Sequence, residues 1–259
     1  MNIVVCIKQV PGTTSIKIDP ETNTLVREGV ESIINPFDAY ALEEGVRLRE
    51  RYGGKVTTIT MGPPQAEDAL RETVSLAADE AILLSDRAFA GSDTWATAYV
   101  LSRAMTKIGE YDLIVCGRQT LDGDTGQVAP ELAEMLDLPF VAYVSRIEEV
   151  GDGAMRVQRM VEEGYETVET PLPAVVTVVK EINVPRLPSI RGTMKSRSAE
   201  IPVWTAADID ADAGRAGASG SPTRVVRIFF PQRERASEML QGTPEEQVDQ
   251  LIEKLEGMV

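Results

Sequence analysis

The sequence predicts an α/β fold: a mostly parallel sheet with helices on both faces, an antiparallel excursion, and a C-terminal arm. Three observations carry that expectation. Up to about residue 136, short apolar runs alternate with amphipathic helical patterns, which calls for right-handed crossovers and a parallel sheet covered on both sides. From Phe140 onward, strand-like runs follow one another with only short breaks. Beyond Thr205, a stretch poor in large apolar residues precedes one last amphipathic helix.

The elements follow in order. "NIVVCIKQV" reads as a buried first strand. Asn35-Pro36-Phe37-Asp38 opens a helix: Asn35 suits the N-cap, Pro36 the first helical position, and Asp38 lies where a capping acid reaches back. That helix should run from Pro36 to Tyr52 and stop at Gly53-Gly54. "KVTTITMG" is the next strand, ending at Gly62. Pro63-Pro64 then opens a helix carrying Ala69, Leu70, Val74 and Leu76, and "EAILLS" follows as a strand. A helix over Thr94 to Ile108 leads into the strand "YDLIVCG". After Phe140 come "FVAYVSRIEEV", "AMRVQRMVE", "YETVETPLP" and "AVVTVVK", read as an antiparallel excursion that returns to the sheet. Residues 205–222 read as a linker and "TRVVRIFF" as a short strand. Thr243-Pro244-Glu245-Glu246 is a capping box heading a final helix, with Val248, Leu251, Ile252 and Leu255 on one stripe. That stripe needs cover, either from its own domain or from a partner subunit.

Charge and composition narrow the function. The chain carries 26 Lys and Arg against 41 Asp and Glu, a net −15, which argues against nucleic acid or an anionic membrane as the main partner. No apolar run approaches the roughly 20 residues of a bilayer span, and the N-terminus lacks the features of a signal peptide, so a cytoplasmic location is expected. Cys6 and Cys116 lie in strand-like runs and read as small buried hydrophobes of a reducing compartment. There is no histidine, which removes the usual general base and the commonest metal ligand. No residue is therefore assigned to acid–base catalysis or to a metal, and any redox chemistry falls to a cofactor.

The stretch with most functional content is "CGRQTLDGDTGQVAPELAEML", from Cys116 to Leu136, a glycine-rich hinge between a strand and a helix. In an open α/β sheet, ligands bind beyond the carboxyl ends of the strands. Gly123 and Gly126, read as left-handed turn positions, and the helix start near Thr125 to Pro130 suit a phosphate or pyrophosphate nest. Asp122 and Asp124 fit either turn formation or acceptance from ribose hydroxyls. A glycine-rich turn with no ligand is the bland alternative.

Six ordered segments, "VCIKQVPGTT", "INPFDAYALEEGVRLRE", "TMGP", "CGRQTLDGDTGQVAPELAE", "PLPAVVTVVKEINVPRLPSIRGTMKSR" and "GSPTRVVRIFFP", together resemble the beta subunit of electron-transfer flavoprotein over nearly the whole chain. The resemblance implies a nucleotide-binding domain over 1–204. It also implies a linker and arm over 205–259 that dock on an alpha subunit, which carries its own FAD. In that family the beta subunit holds a second nucleotide, AMP in the mitochondrial-like class and FAD in the electron-bifurcating class. The loop Asp122-Gly123-Asp124-Thr125-Gly126-Gln127-Val128 resembles the bifurcating class, because mitochondrial-like members are less glycine-rich there and polar where Val128 stands. A beta-site FAD that accepts a hydride from NADH, with NAD(H) as transient substrate, is therefore expected.

By resemblance the nucleotide contacts fall on Cys6, Ile7 and Lys8, on Asn35 and Asp38, on Met61 and Gly62, and on Cys116, Gly117, Arg118, Gln119 and the loop through Val128. Asn35 and Asp38 also read simply as a cap, and Met61 as core. Gly12 departs from the family pattern, where many relatives carry an acid. "NVPRLPSIRGTMKSR" matches the loop by which the family docks an acyl-CoA or related dehydrogenase. There Ile190 stands as the aliphatic anchor, Pro185 and Pro188 hold the loop extended, and Arg186, Arg191 and Lys195 form a basic rim. A nucleotide-sensing or ATP-hydrolysing module is the competing class. It lacks a G-x-x-x-x-G-K-[ST] sequence here.

Overall fold

A computed structural model describes residues 1–12, 17–18, 25–26, 32–226 and 237–256, with the backbone alone at 17–18 and 25–26. In chain order the elements are β1 (Asn2–Cys6), β2 (Gln9–Pro11), β3 (Lys17–Ile18), β4 (Leu25–Val26), β5 (Ser32–Ile34), α1 (Pro36–Tyr52), β6 (Lys55–Met61), α2 (Glu67–Ser75), β7 (Glu80–Leu84), α3 (Thr94–Ile108), β8 (Leu113–Gly117) and α4 (Val128–Leu136). They continue with β9 (Phe140–Gly151), β10 (Ala154–Val161), β11 (Gly164–Pro171), β12 (Ala174–Val178), α5 (Ile190–Ser198), β13 (Val203–Trp204), α6 (Gly217–Gly220) and α7 (Pro244–Glu256).

The main sheet has nine strands in the order β11-β10-β9-β12-β8-β1-β6-β7-β13. From β9 to β13 every neighbouring pair is parallel, whereas β9, β10 and β11 pair antiparallel. The expected α/β class, the excursion and its return are thus all present. β12 comes back between β9 and β8, so the excursion is built onto the sheet edge.

Alternation along the strands builds two core layers. Ile3, Val5, Leu113, Val115 and Val176 face α1 through Leu42 and Val46. Val4, Ile114 and Val175 face the other way, toward Val100 and Leu101 of α3 and Leu132 of α4. The chain runs from β1 outward to β6 and β7, then crosses to β8 on the other side of β1. The reversal of strand order falls between β1 and β8, and their carboxyl ends frame the crevice such sheets use for ligands.

Several local expectations change. The helix opened by Pro63-Pro64 begins as a tight 3-10 turn over Pro64–Ala66 before α2. Residues 205–222 are packed rather than a free linker. Ile209 and Ala216 are buried, the Asp212 N–H donates to Tyr99 Oη at 2.8 Å, Arg103 and Lys107 donate to the Ile209 and Asp208 carbonyls, and the Thr223 hydroxyl reaches Asp93 at 2.9 Å. Small residues used singly against α3 carry no periodicity, so composition alone reads them as loop.

The first compact unit spans Met1–Val226 and the second Arg227–Val259. In the second, the capping box at α7 is formed: the Glu246 carboxylate accepts from the Thr243 N–H at 2.7 Å, and the Thr243 hydroxyl accepts from the Glu246 N–H. Val248, Leu251, Ile252 and Leu255 are exposed on α7. The second half of "TRVVRIFF", from residue 227, lies outside the described residues; Thr223 to Val226 is irregular. No described helix is long and apolar enough to cross a membrane.

Candidate functional site

The site is built where β1, α1, β6 and β8 end or begin. Cys6 and Cys116 are paired across β1 and β8, both as free thiols. A bond to Cys6 and burial push the Cys116 thiol up, which keeps it protonated and unreactive.

Asn35 stands at the N-cap of α1 as expected, its carbonyl accepting from the Asp38 and Ala39 N–H groups, but neither Asn35 nor Asp38 makes the side-chain capping bond expected of it. The Asn35 amide nitrogen instead donates to Asp38 Oδ1 at 3.0 Å and to the Gln119 carbonyl at 2.9 Å, while its amide oxygen accepts from the Leu121 N–H at 3.2 Å. Asp38 Oδ2 accepts from the Lys8 N–H at 2.7 Å. Both side chains are buried, so they tie β1, α1 and the hinge together rather than face a ligand. Burial pushes the Asp38 carboxyl up to about 7, against the downward pull of its bonds from Asn35, Lys8 and the Gly117 backbone.

The hinge itself is exposed over residues 121–127. Left-handed conformations occur at Asp124, with φ 53°, and Gly126, with φ 64°. Gly123 is not left-handed, and a Cβ there would meet only Thr120 Oγ1, at 3.5 Å. Gly126 therefore carries alone the conformational demand expected of both glycines. Asp122 acts as a turn former: it accepts from the Gly123 N–H and from Lys8 Nζ at 2.8 Å, and Lys8 holds its carboxyl low although burial opposes this. Asp124 accepts from Gln119 Nε2, whose own Oε1 accepts from Arg118 Nε at 2.6 Å. Both loop acids are thus engaged within the chain, and their charges are partly spent before any ligand arrives.

Beyond them, the backbone N–H groups of Thr125, Gly126, Gln127, Val128 and Ala129 donate to no group among the described residues. Pro130 has no N–H, and the ladder of α4 begins with Glu131 donating to Gln127. The N-cap Gln127 makes no side-chain bond. Consecutive unused donors at a helix start form an anion-binding nest. Beside the hinge, a cleft of about 220 Å³ is lined by Lys8, Met61, Gly62 and Asp122, and also by Thr60, Ser32 and Ala66, which no sequence motif singled out.

Two expected residues stand apart. The Ile7 side chain is buried in the layer facing α1, and Val128 packs into the layer on the other face.

The proposed docking segment is elsewhere on the domain and is partly helical. Ser189 caps α5 by accepting from the Gly192 N–H at 2.9 Å, which places Ile190 at the first helical position. Ile190 is 85% exposed, next to exposed Leu187 and Met194. Of the basic rim, Arg186 is bound to Glu43 and Glu50 of α1 at 2.8 and 2.7 Å, and Lys195 donates to the Ala78 carbonyl. Both therefore anchor the segment, with Asn183 donating to Tyr40 and Glu44 at its start. Arg191 makes no bond among the described residues.

A doubly wound α/β domain with a row of unused N–H donors at its switch point has the arrangement in which open α/β sheets commonly bind ligands. Comparison with known proteins narrows this further. The electron transfer flavoprotein domain family matches residues 22–209. The electron transfer flavoprotein subunit beta of Thermoanaerobacterium thermosaccharolyticum is 53% identical over 98% of both chains. The caffeyl-CoA reductase-Etf complex subunit CarD of Acetobacterium woodii is 46% identical, again over 98% of both. Protein FixA of Azotobacter vinelandii is 46% identical over 93% of this chain and 89% of its own. The chain belongs to the electron transfer flavoprotein beta-subunit family.

Proposed function

We propose that this chain is the beta half of a heterodimeric electron carrier and that its hinge holds a second FAD in an electron-bifurcating complex. The row of unused N–H donors from Thr125 to Ala129 carries the reading: it offers a pyrophosphate several donors at once in a loop whose acids are already engaged. Lys8, Met61 and Gly62 would line the rest of the nucleotide's bed, and Gly126 keeps the backbone open to the phosphates. Bound there, FAD would supply hydride acceptance from NADH and electron transfer onward. The chain's own part is to bind and orient the cofactor and to exclude competing reactions. α7, with its exposed apolar stripe, is assigned to docking on the alpha subunit, and the segment around Ile190 to docking on an acyl-CoA or related dehydrogenase. A relative named for a caffeyl-CoA reductase complex supports a partner that acts on a CoA thioester.

Absorption and nucleotide extraction of the purified complex test the cofactor assignment. Two FAD per heterodimer are expected. One FAD with one AMP would replace the bifurcating assignment by the structural-AMP class. Docking is tested separately: Ile190→Ala should weaken the dehydrogenase by about 1–2 kcal/mol while leaving nucleotide content intact, the scale of truncating a modest interface anchor. Arg191→Glu should lower the encounter rate, by an amount that shrinks as salt is added. Unchanged transfer kinetics at low salt in both variants would remove the docking assignment and leave the hinge untouched.

A further inference from the structure

Tyr143 lies outside every motif, yet its backbone is one of the few non-glycine positions in a left-handed conformation, with φ 58°. It stands in β9 where the ladder slips: Val141 pairs with Val176 and Val144 with Val178, so two residues, Ala142 and Tyr143, oppose Thr177 alone. This is a β-bulge, and the buried Thr177 hydroxyl accepts the Tyr143 N–H at 3.0 Å. A residue with a Cβ adopts this conformation at a cost, and such outliers persist where the surroundings hold them. The bulge re-aims the half-exposed Tyr143 ring toward Arg118, whose guanidinium carbon lies 5.6 Å from the ring centroid and equally far from that of Phe37. Both distances are within cation–π range.

From Arg118 a chain of side-chain bonds leads into the hinge. Arg118 Nε donates to Gln119 Oε1, and Gln119 Nε2 donates to Asp124, the left-handed residue immediately before the row of unused N–H groups. The backbone of Arg118 is itself fixed, its N–H bonded to the Val178 carbonyl at 3.1 Å. We infer that Tyr143 is a positioning residue of the anion nest: its ring, with that of Phe37, immobilises Arg118, and through Gln119 and Asp124 this holds the loop in the form that presents its N–H donors to a phosphate. The inference rests on the nucleotide assignment made above.

A substitution of opposite sign in fold and function tests it. Tyr143→Gly removes the ring and relieves the left-handed strain, because glycine adopts φ 58° freely. In the complex with its alpha subunit, stripped of beta-site nucleotide, this variant should melt no lower than the parent. Its dissociation constant for AMP, used as the phosphate-bearing probe, should rise about tenfold. Tyr143→Phe keeps the ring and should bind AMP within about twofold of the parent. Gly126→Val, measured alongside, reports on the nest itself. Parent-like AMP binding by Tyr143→Gly while Gly126→Val has lost it would overturn the role of Tyr143 alone. Retention by Gly126→Val as well would overturn the nucleotide assignment and the inference with it. Two other results also count against the ring: Tyr143→Phe binding as poorly as Tyr143→Gly, or Tyr143→Gly failing to fold.

Discussion

Gly117→Ala should cost the fold about 3 kcal/mol or more and leave the hinge without nucleotide, the scale of overpacking a close-packed interior. Gly117 ends β8 directly beneath the first turn of α1. A Cβ on it would collide with Asp38 Oδ1 and lie 2.7 Å from the Phe37 carbonyl carbon and 2.8 Å from the Phe37 Cβ. None of these is the free end of a flexible side chain. Two belong to or adjoin helix backbone, and the third is an oxygen of a buried carboxylate that accepts from the Lys8 N–H and the Asn35 amide. α1 would have to lift from the sheet, taking with it the bond between Asn35 and the Gln119 carbonyl that fixes the root of the hinge. Urea midpoint and extracted nucleotide give the two readouts. Parental values of both would show that α1 does not seat on β8 as described. Gly123→Val, by contrast, should leave the fold alone, because that position is open and outside the left-handed region.

Asp38→Asn should flatten part of the pH dependence of stability. The unfolded carboxyl titrates near 3.8 and the folded one near 7, so between those values the native state holds the extra proton. The contribution of neutral Asp38 is therefore complete below pH 4 and is lost as pH rises through 7. Three pKa units correspond to about 4 kcal/mol, spread over that window. Carboxylates held low by partners, such as Glu43 beside Arg186 and Glu80 beside Lys55, act in the opposite direction and remain in both proteins. The test is thus the difference between parent and Asp38→Asn, followed by denaturant titration from pH 4 to pH 8. The parent should lose stability relative to the variant across the window, at up to about 1.4 kcal/mol per pH unit. A constant difference would mean that Asp38 is ionised throughout and that its donors outweigh its burial.

Asn35 and Asp38 also show how much of the site was legible. The motif Asn35-Pro36-Phe37-Asp38 announced a helix start, and α1 begins at Pro36. Its polar residues looked like a cap because local spacing is all that a cap requires. They are bonded instead to Lys8, Gln119 and Leu121, partners that no local pattern reveals. Likewise the family resemblance and their charge cast Arg186 and Lys195 as a steering rim, and the fold uses both as anchors, on α1 and on the turn before β7. Tyr143 gave no signal, because the bulge that turns it toward Arg118 is a property of the pairing of β9 with β12.

The order of strands and helices up to α4, the change to antiparallel pairing after Phe140, the glycine-rich hinge between β8 and α4, and the capping box of α7 follow from the sequence alone. Each is written in short-range terms: the period of apolar residues reports which face is buried, and Gly, Pro and capping side chains act within a few positions. Tertiary packing settles that Cys6 meets Cys116, that Asp38 lies under the hinge instead of in the cleft, that residues 205–222 are packed, and that Arg186 and Lys195 are bound within the domain. Those outcomes depend on strand order and helix docking, which bring together residues as far apart as Lys8 and Asp122 or Glu43 and Arg186. Burial then sets the strength of each pairing, since a carboxylate removed from water takes whatever donors the fold places beside it.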